Sequence, residues 1–169
     1  MEWKKISCTV LFMVACVFAQ AQEWKVPLKG VVPDFSVETK TGDKIEIKSL
    51  RGKVVLLNFF ATWCPPCRQE LPRLQREIWE KWGKREDFAV CVLAREEGWD
   101  KLDPFIKSTG YTFPIYPDLK RGVFGLFAES QIPRNILIDR DGKVIYQSIG
   151  YEEAEFTQLI HIIKAELDK

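Results

Sequence analysis

The sequence predicts an α/β fold: a central mixed β-sheet flanked by helices, with an N-terminal β-hairpin extension. Three features predict it. Residues 54–60, VVLLNFF, form an apolar run that passes through Ala61-Thr62-Trp63 and Cys64-Pro65-Pro66-Cys67 straight into a helical spacing. A second apolar run at 88–94 follows that helix, and strand, helix, strand in succession implies a right-handed parallel crossover. Near the C-terminus, Asp141-Gly142 stands between two apolar runs, a strong short-range signal for an antiparallel hairpin. With 169 residues, 46% of them hydrophobic and 12% aromatic, the chain can bury the core of about one domain, placed at residues 34–169.

Residues 1–21 read as a secretory signal: Lys4-Lys5, an apolar stretch at 6–18, and Ala19-Gln20-Ala21 before the cleavage point. The apolar stretch is shorter than the ~20 residues a membrane-spanning helix needs. Cys16 after Met13-Val14-Ala15 offers a competing reading as a lipidation site, although Met13 fits that pattern poorly; a buried N-terminal helix is a third. Cleavage after Ala21 removes Glu2, Lys4 and Lys5, so 25 basic and 24 acidic residues become 23 of each. No basic stripe remains to attract nucleic acid or anionic lipid, and membrane contact is expected only if Cys16 carries a lipid. Cys64, Cys67 and Cys91 remain, an adjacent pair plus one, which is not the even, dispersed set of a disulfide scaffold. Cys91 lies within the apolar run 88–94 and is read as core.

In chain order, residues 22–33 carry two prolines, a glycine and no period, and are expected to be a mobile lead-in. Residues 35–38 and 44–48 read as the two strands of a half-solvated hairpin around Lys40-Thr41-Gly42-Asp43. The run at 54–60 has one polar member, Asn58, and suits a central strand covered on both faces. Leu71, Leu74, Ile78 and Trp82 recur at helical spacing up to Gly83, with Pro72 expected to kink the helix. A short helix is expected at 100–109, ended by Gly110, and another at 121–129; residues 113–117 are too short and proline-rich to assign. Residues 135–139 and 144–148 are the hairpin strands, and 152–167 is a closing helix with Phe156, Leu159, Ile160, Ile163 and Leu167 on one face.

The chemistry concentrates at Cys64-Pro65-Pro66-Cys67. A dithiol at a strand-to-helix junction puts the first sulfur beside unpaired backbone N–H groups and the positive end of the helix dipole, which favours thiolate and makes Cys64 the nucleophile. Two intervening residues let Cys67 close a disulfide with it. Pro65 and Pro66 stiffen the turn at positions where a helix tolerates a missing N–H. Half a zinc site would need two further ligands, and only His161 and Cys91 are left to supply them. A purely structural disulfide closing so short a loop would restrain the unfolded chain little.

The stretch from Phe59 to Cys67, with Gly52-Lys53-Val54-Val55 before it and Gln131-Ile132-Pro133 after it, resembles the thioredoxin superfamily, and in particular the TlpA/ResA-like exported thiol:disulfide oxidoreductases. The resemblance runs from Pro33-Asp34-Phe35 to the last helix and implies a thioredoxin-like fold. It implies that Cys64 attacks, that Cys67 resolves, and that the redox-active disulfide between them serves in place of a separate cofactor. Trp63 matches the aromatic residue flanking the dithiol, with a packing role also expected for it. Pro133 matches the family's cis-proline, beside which the Ile132 backbone can pair with an extended substrate, so Trp63, Pro65, Pro66, Ile132 and Pro133 form the expected substrate-binding set. Glu70 matches a glutamate near the active site of ResA-like members and is expected to relay protons; the plainer alternative is a solvated first-turn carboxylate. Two positions depart from relatives: Asn58 stands where thioredoxin has a buried aspartate, and Arg134 stands where many have threonine, either at the rim of the substrate groove or as a solvated charge.

The resemblance thus implies an extracytoplasmic, periplasmic enzyme that reduces disulfides of exported proteins and is recharged by a membrane-embedded electron donor. Two other readings stand beside it. One is a peroxide-reducing relative, although the Pro-x-x-x-Thr-x-x-Cys context of a peroxidatic cysteine is missing. The other is a thioredoxin-like module that binds peptides or proteins with little turnover.

Overall fold

The computed structural model describes residues 24–169; the signal reading of residues 1–21 and the lipidation reading of Cys16 lie outside the described residues. Strands β1 (Ser36–Glu38) and β2 (Lys44–Glu46) form the expected antiparallel hairpin, with Val37 opposite Ile45. The second strand is shorter than the alternation at 44–48 suggests, because Ile47–Leu50 winds into a 3-10 turn that buries Ile47.

The main sheet contains β3 (Val54–Phe60), β4 (Phe88–Arg95), β5 (Ile115–Asp118), β6 (Arg134–Ile138) and β7 (Val144–Ile149), in the spatial order β5-β4-β3-β6-β7. β4 pairs in parallel with β3 and β5, whereas β6 pairs antiparallel with β3 and β7, so the sheet is mixed and β3 lies at its centre. Among the described residues the α-helices are α1 (Pro65–Arg73), α2 (Glu80–Trp82), α3 (Trp99–Thr109), α4 (Phe124–Phe127) and α5 (Glu153–Leu167). None of them is long and apolar enough to cross a membrane.

Every residue of β3 is buried, and its pleat sends alternate side chains to opposite faces. Val54, Leu56 and Phe60 join Leu71, Leu74 and Ile78 of the motif helix and its continuation, and Phe156, Leu159 and Ile163 of α5. Val55, Leu57 and Phe59 join the opposite core with Val37, Ile47, Phe124 and Phe127. Phe59 meets Phe124 edge-on, with ring centroids 5.4 Å apart, a geometry that adds to simple area burial. Asn58 is the one polar side chain that β3 places on the first face, which is the face that α1 covers.

Four details differ from the sequence expectation. The break at Pro72 is a change of helical pitch: the missing N–H is followed by a π-helical stretch, Leu74–Trp79, before α2 ends at Gly83. Residues 115–118 are a strand, held through Val92 opposite Ile115 and Leu93 opposite Tyr116. The helix expected over 121–129 is confined to α4, whose start is fixed by Asp118 oxygens accepting the N–H groups of Val123 (3.1 Å) and Phe124 (2.7 Å). The lead-in expected to be mobile is fastened to α4 at residue 25 and stitched to the sheet from residue 29 onward. Lys29 N–H donates to Val144 O (2.7 Å), Val144 N–H to Gly30 O (2.9 Å) and Val32 N–H to Gly142 O (3.0 Å), while Val26 and Val32 are buried.

Candidate functional site

β3 ends at Phe60, and the turn that follows delivers Cys64 to the N-cap position of α1. Cys64 and Cys67 are joined in a disulfide, with Cα atoms 5.3 Å apart. Prolines occupy the first two helical positions, so two of the donors a helix start ordinarily leaves free do not exist. The first amide available is that of Cys67, and it donates to Cys64 Sγ at 3.3 Å. The sulfur therefore receives the hydrogen bond that a Ser or Asp cap would normally accept, at the end of the helix where the dipole favours negative charge. Both sulfurs are shielded: Cys64 is 3% exposed and Cys67 fully buried.

Trp63 beside them is 65% exposed, so the packing role expected for it is not what the structure shows; its ring faces solvent at the mouth of the site. Pro65 is exposed and Pro66 half-buried. Across the site the Ile132–Pro133 bond is cis, and Ile132 O lies 3.8 Å from Cys64 Sγ. In the disulfide that sulfur carries no hydrogen, so this is a contact and not a hydrogen bond. The structure thus brings Trp63, Cys64, Pro65, Pro66, Cys67, Ile132 and Pro133 together around one bond.

Glu70 lies one turn beyond Cys67 on α1 and is 1% exposed, which excludes the solvated first-turn reading. One carboxylate oxygen accepts Asn58 Nδ2 at 2.5 Å, and the other accepts Asn135 Nδ2 at 3.0 Å. Asn58 Nδ2 also donates to Asn135 Oδ1 at 2.9 Å, and Asn135 Nδ2 reaches Ser148 Oγ at 3.4 Å. Strand register explains the row: Asn58 sits opposite Asn135 across β3 and β6, and Asn135 opposite Ser148 across β6 and β7. Burial pushes the Glu70 carboxyl up to about 7, against the pull of the two amide donors, which favour the ionised form. A carboxyl titrating near neutrality can both take up and release a proton under ordinary conditions.

Two residues were missed or misread in the sequence. Glu97, 6% exposed, accepts Thr62 N–H at 2.7 Å and Thr62 Oγ1–H at 2.6 Å, and so pins the turn that leads into Cys64. No motif marks it; the only available hint is an acid just after a buried strand. Arg134 is neither at a groove rim nor solvated: it is 1% exposed, with its guanidinium bonded to the carbonyls of Ser130 and Gln131. Cys91 lies in β4, away from these groups, and burial pushes its thiol up to about 12. His161 is exposed on α5.

Comparisons with known proteins agree with this geometry. The model of the AhpC/TSA family matches residues 29–147. The thiol-disulfide oxidoreductase ResA of Bacillus thuringiensis (strain Al Hakam) is 35% identical over 135 residues, 80% of this chain and 77% of that protein. The solution structure of a candidate protein disulfide isomerase from Bacteroides thetaiotaomicron superposes with a TM-score of 0.83 at 37% identity, covering 88% of this chain and 94% of that one. A candidate thiol:disulfide interchange protein DsbE from Chlorobium tepidum gives a TM-score of 0.72 at 30% identity, covering 84% of this chain and 99% of that one. The chain belongs to the AhpC/TSA family, as a thioredoxin-like thiol-disulfide oxidoreductase.

Proposed function

We propose that this protein works in the reducing direction on disulfides of exported proteins. The Cys64 sulfur at the helix cap, with the first free amide of α1 aimed at it and Ile132 beside it, supports its role as the attacking thiolate, and the reducing direction rests on the likeness to ResA-like thiol-disulfide oxidoreductases. In the reduced enzyme the Cys64 thiolate attacks one sulfur of a substrate disulfide; that bond breaks, and the departing sulfur leaves as thiolate and takes a proton. Cys67, deprotonated with Glu70 as acceptor, then attacks Cys64 Sγ, releasing the second substrate thiol and leaving the Cys64–Cys67 disulfide seen here. Two electrons pass from enzyme to substrate, with Trp63, Pro65, Pro66, Ile132 and Pro133 forming the substrate-binding surface.

An oxidising compartment cannot restore the dithiol, so the cycle calls for a membrane-embedded electron donor. The signal-like pattern at residues 1–21 supports a periplasmic or otherwise extracytoplasmic setting. The test is the reduction potential of Cys64–Cys67 together with trapping by Cys67→Ser. A potential near about −270 mV and mixed disulfides on Cys64 with envelope proteins are expected; one near about −120 mV would assign an oxidase. Absence of both turnover and trapped species would leave a binding module.

A further inference from the structure

Arg134 follows Pro133 directly and is among the largest fully buried side chains. A guanidinium costs much to bury unless its N–H groups are bonded, and an apolar residue of the same volume would fill the space without that cost. What the arginine adds is geometry. Its donors lie in one rigid plane: Nε reaches Ser130 O at 3.0 Å and Gln131 O at 3.1 Å, and Nη2 reaches Ser130 O at 2.8 Å. These are the two carbonyls just before Ile132, and Gln131 is held at φ 65, in the left-handed region a side chain rarely adopts.

The other side of the guanidinium is covered by Trp24, whose ring lies 4.4 Å from Arg134 Cζ. The next residue fastens to α4 and the segment after it: Lys25 N–H donates to Phe127 O at 2.9 Å, Lys25 Nζ to Gly125 O at 2.7 Å, and Lys25 pairs with Glu129 at 2.5 Å. The lead-in and Arg134 therefore clamp residues 125–131 from two sides, next to the backbone that faces Cys64.

We propose that Arg134, stacked on Trp24, is a positioning residue that fixes the Ser130-Gln131-Ile132 backbone for an extended disulfide-bearing polypeptide and so sets affinity for peptide substrates over small disulfides. It acts through the loop and touches no reacting atom. The inference rests on the substrate-pairing role given to Ile132 above.

The test compares wild type with Arg134→Lys and Trp24→Leu on a disulfide-bonded peptide and on the small aromatic disulfide DTNB, which has no backbone to pair. For Arg134→Lys, the loss of several charge-assisted bonds is expected to lower kcat/KM for the peptide relative to DTNB about tenfold, carried by KM. For Trp24→Leu the expected loss is about threefold, and it should shrink when Arg134 is already lysine, because contacting residues couple. Trp24→Leu carries the test if Arg134→Lys does not fold. Equal losses on both substrates, or none on the peptide, overturn the proposal. If wild type does not turn over the peptide at all, the reductase reading fails separately. The proposal is then read from the backbone NMR order parameters of residues 130–132, which are expected to fall in Arg134→Lys and overturn the proposal if unchanged.

Discussion

Replacing Glu70 by glutamine keeps the volume and one acceptor while removing the charge, so it isolates what burial of this carboxyl does to the fold. The folded protein holds the group near 7 and an unfolded chain near 4.5, an interval equivalent to roughly 3 kcal/mol. Below pH 4.5 both states carry the proton and the group is neutral for stability. Between 4.5 and 7 the unfolded chain releases its proton first, so stability falls as pH rises; above 7 both states are ionised and the full cost of a buried carboxylate is present. Glutamine has no such dependence. Its amide N–H groups meet an asparagine donor, at a pH-independent cost of about 1–3 kcal/mol. The offset between the two proteins is therefore less informative than its slope. In urea titrations of the oxidised proteins, the stability of wild type minus that of Glu70→Gln is expected to fall by about 3 kcal/mol between pH 4.5 and 8.5. Two curves that stay parallel within about 0.5 kcal/mol across that range would refute the reasoning.

Two further outcomes follow from groups near the site. Cys91 should resist iodoacetamide in the folded protein at pH 8, since a buried thiol pushed up to about 12 has almost no thiolate; peptide mapping should find the adduct only after denaturation in urea. Glu97→Ala strips both acceptors from Thr62 and is expected to lower stability by about 1–3 kcal/mol in urea titration, whereas Glu97→Gln, which keeps one acceptor, should lose less.

The parts of this fold legible in the sequence are those whose partners leave a side-chain pattern. The run of β3, apolar but for Asn58, the Asp141-Gly142 turn, and the stripe from Phe156 to Leu167 each record burial in residue type, and the structure places all three as expected. The lead-in was illegible because its attachment runs through backbone groups, such as Lys29 N–H and Gly30 O, which any sequence possesses. β5 was illegible because four residues with a proline carry no period. At the site, Cys64 and Cys67 announced themselves by spacing. The environment of Glu70 did not, because Asn58 and Asn135 meet only through the β3–β6 register, across 77 residues of chain. Arg134 misled for a related reason: its guanidinium bonds to the carbonyls of Ser130 and Gln131, and carbonyls have no sequence signature.

The reacting bond hangs from the end of the central strand, every residue of which is buried between two cores. Local opening of a protein begins at edges, termini and exposed loops, where little burial is lost, and the interior strands separate only in global unfolding. The base of the dithiol thus belongs to the last cooperative unit to open, although its mouth lies at the surface. Amide exchange in β3 should proceed at the global unfolding free energy. Excursions that fray the β1–β2 hairpin would leave the dithiol's geometry intact, so a variant destabilised only in that hairpin should keep full activity per folded molecule until the whole chain melts.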